Sequence, residues 1–323
     1  MKVRKIYPIL TILILFIGFG TFAYSEPTVY IAGYEDWWPP FSACYWINGG
    51  KVVLQNNGQA DQVFLSDDRV YITGQYPKGD KLVPCYWVDG ERTDLQGNGG
   101  RHSISISDGI VYSLGSHSDG KNNVACYWAD GKRADLQGVN GAYQIFVAKG
   151  KVYATGGYSK GKDWIFCYLA DGRRVDLLCQ NDFHILYTSS ILVSDGKVYV
   201  TGRISNNNEN MACYWTNGVR TELSGKNADA TAIFVSDGTV YIAGYYDNGK
   251  VQAPCYWVDG KMIEIMNGNE PYNGTLWSVY VFDGNVYVGG DFHTPSWDYT
   301  CYWVNGERKL LGGRGVATCI LVK

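Results

Sequence analysis

The sequence has little charge and no surplus of one sign. Lys and Arg number 28 against 31 Asp and Glu, the formal net charge is −3, and charged residues make up only 18%. A nucleic-acid-binding face needs a basic surplus, so no nucleic-acid partner is expected. A disordered chain would hold far fewer apolar residues than the 46% present. Past residue 23 there is no long hydrophobic run, which excludes a polytopic membrane protein. No Cys-x-x-Cys pair exists, so zinc-ribbon and thioredoxin-like readings have no support. No nucleophile elbow, HExxH helix, phosphate loop or repeated acidic pair with a partner base is expected. No cofactor or metal is expected either. What the chain does have is 40 Gly, 26 Tyr and 11 Trp. Such richness in glycine and aromatics belongs to many short strands joined by tight turns.

The first residues form a separate unit. Lys2, Arg4 and Lys5 precede an almost purely apolar stretch from Ile9 to Ala23. That stretch is shorter than the roughly 20 residues a membrane helix needs. Ala23-Tyr24-Ser25 offers small residues at the two positions that determine cleavage. This is the pattern of a secretory signal peptide over residues 1–25, with the mature domain running from 26 to 323. The alternative is an uncleaved N-terminal anchor. After cleavage no membrane span remains, and the product is exported to the periplasm, the cell surface or the medium.

The rest of the chain is a repeat. Cys-Tyr-Trp begins at Cys44, Cys85, Cys126, Cys213, Cys255 and Cys301, and a seventh copy reads Cys167-Tyr168-Leu169. A second tyrosine (Tyr30, Tyr71, Tyr112, Tyr153, Tyr199, Tyr241, Tyr287) precedes each Cys by 14 positions in all seven copies. Successive Cys residues lie 41 to 46 apart. Each period holds four strand-like segments, here lettered A to D, as in Ala232-Ile233-Phe234-Val235 (A) and Val240-Tyr241-Ile242-Ala243 (B). Strand C carries Cys-Tyr-Trp, and strand D is short. Asn-Gly or Asp-Gly follows every strand C, and Asp-Gly joins A to B in four copies. These are two-residue hairpin turns, a stronger reading than calcium ligation. Four antiparallel strands in some 40 residues make one propeller blade. The mature chain starts on a strand B and stops on a strand A, so its two ends complete one blade. The expected fold is all-β: a closed seven-bladed propeller whose last strand pairs beside its first and hides both edges.

The repeated tyrosines and tryptophans are expected to pack between blades. The seven motif cysteines occupy equivalent positions in successive blades. Packed sheets lie about 10 Å apart, and a disulfide needs Cα atoms within about 7 Å, so these are small buried hydrophobes. Cys179 and Cys319 stand outside the motif, several blades apart.

The run Asp195-Gly196-Lys197-Val198-Tyr199-Val200-Thr201-Gly202 resembles the repeats of secreted bacterial seven-bladed propellers. In layout it is also similar to the kelch repeat: Gly156-Gly157 and Gly289-Gly290 end strand B as the kelch double glycine does, although five copies lack the pair. The resemblance implies a fold and a binding scaffold, not a reaction.

A site is expected where residues break the repeat. The B–C and D–A connections share one face, and variable loops on a rigid scaffold are where binding resides. Trp37, Trp38, Trp164 and Trp297 fall in or beside B–C loops, with Trp277 near a strand A. His102 and His184 fall in D–A links, and His117 and His293 in B–C loops. Asp163, Arg203, Asn206, Asn207, Asn208, Glu209, Asp291 and Asp298 share that face. Of these, Trp37, Trp38, Trp164, Trp297, His117, His293, Asp163 and Arg203 are the candidate binding residues. Trp planes stack on sugars or anchor protein partners. The expected function is an exported, monomeric binding propeller for a protein or a cell-surface glycan. The alternatives are a carbohydrate-active hydrolase or lyase with two carboxylates at the channel mouth, and a structural component of the cell envelope.

Overall fold

The computed structural model describes residues 26–36, 41–95, 103–118, 123–179, 183–206, 209–267, 270–271, 273–294 and 298–323. The leader at 1–25, Trp37, Trp38, Trp297, His102, Asn207 and Asn208 lie outside the described residues. The described residues form seven four-stranded antiparallel sheets, each ordered A-B-C-D. The sixth blade shows the pattern: Asp229–Ser236, Thr239–Asp247, Gln252–Val258 and Lys261–Glu264. Blades 2, 3, 4, 5 and 7 span residues 59–94, 104–135, 141–176, 184–222 and 273–312. Blade 1 takes strands B to D from Val29–Glu35, Ser42–Ile47 and Gly50–Asn56, and its strand A from Gly315–Val322. Strand A of each blade lies against strand A of the next all the way round, so the ring closes. Strand D faces outward and is exposed, as at Glu91–Asp94.

Turn chemistry sets the hairpins. Both residues of every C–D turn have positive φ, for example Asn48 at 49° and Gly49 at 82°. That is the mirror-image turn that matches strand twist. The Asn or Asp has a second use: Asn48 Oδ1 accepts from the Val29 amide at 2.8 Å, and Asp259 Oδ1 from the Val240 amide at 3.0 Å. The Asp residues of the A–B turns, such as Asp237 at φ 49°, are turn formers too.

The fixed spacing of 14 has a register cause. In every blade a glycine three residues after the repeat tyrosine faces the motif Cys, as Gly33 faces Cys44 and Gly244 faces Cys255. The constant spacing means that the B–C hairpins differ in sequence and not in length. The two double glycines are out of phase on this frame. Gly156 and Gly290 face their Cys, so Gly157 is the residue after this position and Gly289 the one before.

All nine cysteines are free, and the seven motif copies are buried. Burial pushes the Cys44 thiol up to about 11 and Cys85 and Cys167 up to about 12, the behaviour of inert core thiols. The motif tryptophans fill the space between blades: Trp46, Trp215, Trp257 and Trp303 are fully buried. Blade 4 has Leu169 instead. Leu136 and Val139, from the link that precedes this blade, share its core cluster. Side-chain hydroxyls join the blades, as Ser103 and Ser105 accept from the Ile145 and Val147 amides, both at 2.9 Å.

Candidate functional site

A bulge in strand A positions the site. In blade 6 the pairing of strands A and B shifts register between Ala230 and Ala232. The same shift recurs in blades 1, 2, 4, 5 and 7. It presses the carbonyl of the residue at the start of strand A onto the strand B glycine. A Cβ at Gly33, Gly74, Gly156, Gly202, Gly244 or Gly290 would collide with that oxygen. Glycine is needed here for close backbone approach, and bulges re-aim side chains.

The pair just beyond the bulge is where the repeat stops repeating. It reads Val316 and Tyr34 in blade 1, Gln59 and Gln75 in blade 2, and Gly141 and Gly157 in blade 4. In blades 5, 6 and 7 it reads Tyr187 and Arg203, Asp229 and Tyr245, and Thr275 and Asp291. All lie at the start of strand A or the end of strand B, on the face that carries the B–C and D–A connections. The valine and glycines of blades 1 and 4 show that a blade does not need polar groups there.

In blades 5 and 6 these residues form one cluster. Asp229, 5% exposed, accepts on Oδ2 from the Tyr187 hydroxyl across the blade boundary and from the Tyr245 hydroxyl at 3.2 Å. Arg203 stands 3.7 Å from the same oxygen. Burial, then the bond to Asp229, pushes the Tyr187 hydroxyl well above its ordinary value. Burial, then the Asp229 charge, raises Tyr245. Both therefore stay protonated donors at neutral pH. Asp229 Oδ1 and Arg203 Nε are buried with no protein partner.

Blade 7 continues the arc. Gln252 of blade 6 donates to Thr275 Oγ1 at 2.6 Å. Trp277, the bulge residue of blade 7, is 36% exposed and donates its indole N–H to Asp291 Oδ1 at 2.5 Å. His293 lies between two carboxylates, Nε2 to Asp291 Oδ2 and Nδ1 to Asp298 Oδ1, each at 2.6 Å. The bond to Asp291 outweighs burial and, with the Asp291 and Asp298 charges, lifts His293 to about 9. It is an imidazolium at neutral pH, donating from both nitrogens. Blade 4 ends the arc on the other side. Trp164, 41% exposed, lies over Gly157, where a Cβ would stand 2.9 Å from its Cζ2. Trp164 and Tyr143, another exposed bulge residue, both come within 4 Å of where a Gly141 Cβ would stand.

The expected site residues thus divide. Trp164, Arg203 and His293 belong to the arc, and His117 to blade 3. All four sit within strand ends, not loops, because the B–C ladders run past the glycine by two or more residues. Asp163 starts strand C of blade 4 and is exposed, with no partner of the cluster. His184 begins strand A of blade 5. Sequence reasoning missed Asp229, Tyr187, Tyr245, Gln252 and Thr275. Aligning the seven copies on the strand B glycine and reading the next residue would have found Tyr245 directly, and Tyr187 and Asp229 as strand partners. Gly157 to Gly161 spells Gly-x-Ser-x-Gly, yet Ser159 lies inside a β-hairpin, paired with Trp164, and not at a strand-to-helix turn. A cavity of about 420 Å³ lined by Leu178, Val219, Arg220 and Glu222 lies at the outer edge of blade 5 and takes in none of the arc.

No protein-family model matches the chain, and no curated protein sequence matches it. Solved structures do. An acylaminoacyl peptidase in complex with Z-Gly-Gly-Phe-chloromethyl ketone is 10% identical with a TM-score of 0.51, over 79% of this chain and 46% of that one. The orthorhombic Pyrococcus horikoshii acylaminoacyl peptidase is 11% identical with a TM-score of 0.50, over 78% and 45%. TolB from Acinetobacter baumannii is 12% identical with a TM-score of 0.50, over 73% and 62%. The chain spans a little under half the length of these peptidases. At such identities the likeness is one of fold alone.

Proposed function

We propose that the protein is an exported binding propeller that recognises a glycan through the arc from blade 4 to blade 7. One observation carries this reading. Polar and charged groups occupy register-equivalent positions in three successive blades, with Asp229, Thr275 and Asp291 buried, where blades 1 and 4 hold valine or glycine and blade 2 an uncharged glutamine pair. Burying a carboxylate and a guanidinium costs stability that packing alone would not demand. Interleaved with them are exposed aromatic planes at Tyr143, Trp164, Tyr187 and Trp277. Planes beside fixed donors and acceptors suit the alternating apolar faces and hydroxyls of a sugar. Asp229 and Asp291 are already engaged by tyrosine, tryptophan and histidine donors, which favours positioning a ligand over acid–base turnover. Export rests on the basic start and short apolar stretch of residues 1–25, and a secreted product with the mass of residues 26–323 tests it.

The test is a glycan-array screen of the purified chain. The expected result is a reproducible sugar hit, weakened at least 10-fold by Trp277→Ala and by Asp229→Asn without loss of fold. A blank array from folded protein overturns the glycan reading and turns the search to a protein partner. New reducing ends or unsaturated products released from the bound sugar would overturn binding in favour of hydrolysis or lysis.

A further inference from the structure

Blade 3 breaks the repeat in a second way. On the outer side of blades 2 and 4, a tyrosine two residues after the strand B glycine donates to an aspartate on strand D. Tyr76 reaches Asp94 Oδ2 at 2.8 Å, and Tyr158 reaches Asp176 Oδ2 at 2.9 Å. An arginine covers each ring, Arg92 at 3.9 Å and Arg174 at 3.8 Å from the centroid. The motif Cys lies on the same face, paired with that aspartate. In blade 3 the tyrosine is replaced by His117. The imidazole is shorter and does not close the gap: Nδ1 stays 3.8 Å from Asp135 Oδ1. Nδ1 is also buried without a hydrogen-bond partner. The substitution therefore leaves a nitrogen lone pair or N–H unused, beside a thiol and a carboxylate. Donor atoms of His117, Cys126 and Asp135 all lie within 4.8 Å of one another.

We propose that His117, Cys126 and Asp135 form a binding site for a thiophilic divalent cation such as Zn²⁺. Imidazole, thiolate and carboxylate are the ligands zinc takes, at about 2.0–2.3 Å. A tetrahedral ion needs its ligands closer together than the longest separation here. His117 and Asp135 are partly exposed and can close that distance, and a water would complete the four ligands. Loading breaks the Cys126 S–H bond as the S–metal bond forms, and the proton leaves to solvent. Among the described residues, Arg133, 3.1 Å from Asp135 Oδ1, is the one Lys or Arg paired with these three. Its side chain is half exposed, so it swings into water or keeps the other carboxylate oxygen when the metal binds. Among the described residues no other cluster of this kind occurs, because the other motif cysteines lack the histidine.

The test uses the whole chain, reduced and stripped with chelator, titrated with Co²⁺ and followed by absorbance. The expected result is one equivalent bound, with a near-ultraviolet thiolate-to-cobalt charge-transfer band that Zn²⁺ bleaches. Cys126→Ser should lose the band, and Cys85→Ser should keep it. His117→Tyr installs the residue that blades 2 and 4 carry, so it should fold normally and lose the band. Should that variant not fold, Asp135→Ala serves in its place and should weaken Co²⁺ binding at least 10-fold. Absence of the band in the parent, or its survival in His117→Tyr, overturns the proposal.

Discussion

At the scale of single residues, the site is set by partners that hold charges in place. His293 has a carboxylate on each ring nitrogen, and Asp291 is only 2% exposed. Its pKa in the fold, about 9, lies above the 6.5 of a free imidazole. The sign of the linkage follows. The folded state binds the proton more tightly, so the stabilisation is full below pH 6.5 and is lost as pH rises through about 9. A shift of that size corresponds to on the order of 3 kcal/mol. Buried cysteines and tyrosines also destabilise the fold at high pH, because their unfolded states ionise first. The comparison must therefore be between the parent and His293→Gln. Between pH 6 and pH 9.5 the parent's melting temperature should fall by more than the variant's. Parallel curves would mean that His293 is not held as an imidazolium.

At the scale of elements, the bulge and its glycine form one device. At Gly244 a Cβ would stand 3.0 Å from Trp257 Cζ3 and closer still to the Asp229 carbonyl oxygen. Gly244→Ala should therefore destabilise by about 3 kcal/mol, the upper end for overpacking. Because Asp229 moves with the bulge, ligand binding should fail as well. Gly260→Ala is the control: its φ is +80° and nothing lies within 4 Å of its Cβ. It should cost only about 1–2 kcal/mol of left-handed strain and leave binding intact. Urea unfolding of the two variants separates close approach from backbone strain, and equal losses would discard the bulge argument. The same contrast explains what was legible. Turns such as Asn48-Gly49 and the Tyr-to-Cys spacing are local demands of the backbone, so they repeat and can be read from one chain. Asp229 and Tyr245 look like ordinary strand residues in sequence. Their meaning depends on a register shift and on Tyr187 from the blade before, which no single copy of the repeat shows and only the alignment of all seven on the strand B glycine brings out. His293, Asp291 and Asp298 were visible as residues of one face, but the sequence carries no sign that the two carboxylates bracket the imidazole. Trp37, Trp38 and Trp297 lie outside the described residues, and Trp164 sits in a strand end, so no described tryptophan carries the loop reading.

At the scale of the whole molecule, closure depends on Gly315–Val322. This strand pairs with Val29–Glu35 across nearly 300 residues of sequence, from Val29↔Val322 to Glu35↔Gly315. It also ties both neighbouring blades: Thr318 Oγ1 donates to Ala60 O at 3.0 Å, and the Ile320 amide donates to Ser278 Oγ at 3.0 Å. Val316, Ile320 and Val322 are at most 3% exposed. Three such side chains contribute roughly 4.5–9 kcal/mol by burial alone, at about 1.5–3 kcal/mol each. That is comparable to the 5–15 kcal/mol that holds a typical domain together. Removing the strand would also bare the edge of Val29–Glu35 and the fully buried Trp46, which invites pairing with another chain. A chain cut before Gly315 should therefore fail to give a folded monomer by sedimentation and circular dichroism, and a synthetic peptide of residues 313–323 should restore it. A cut chain that stays monomeric and melts like the parent would mean that the ring does not need its closing strand. In that event the arc of blades 4 to 7 could not owe its rigidity to closure, and the case for a preorganised site would rest on the bulges alone.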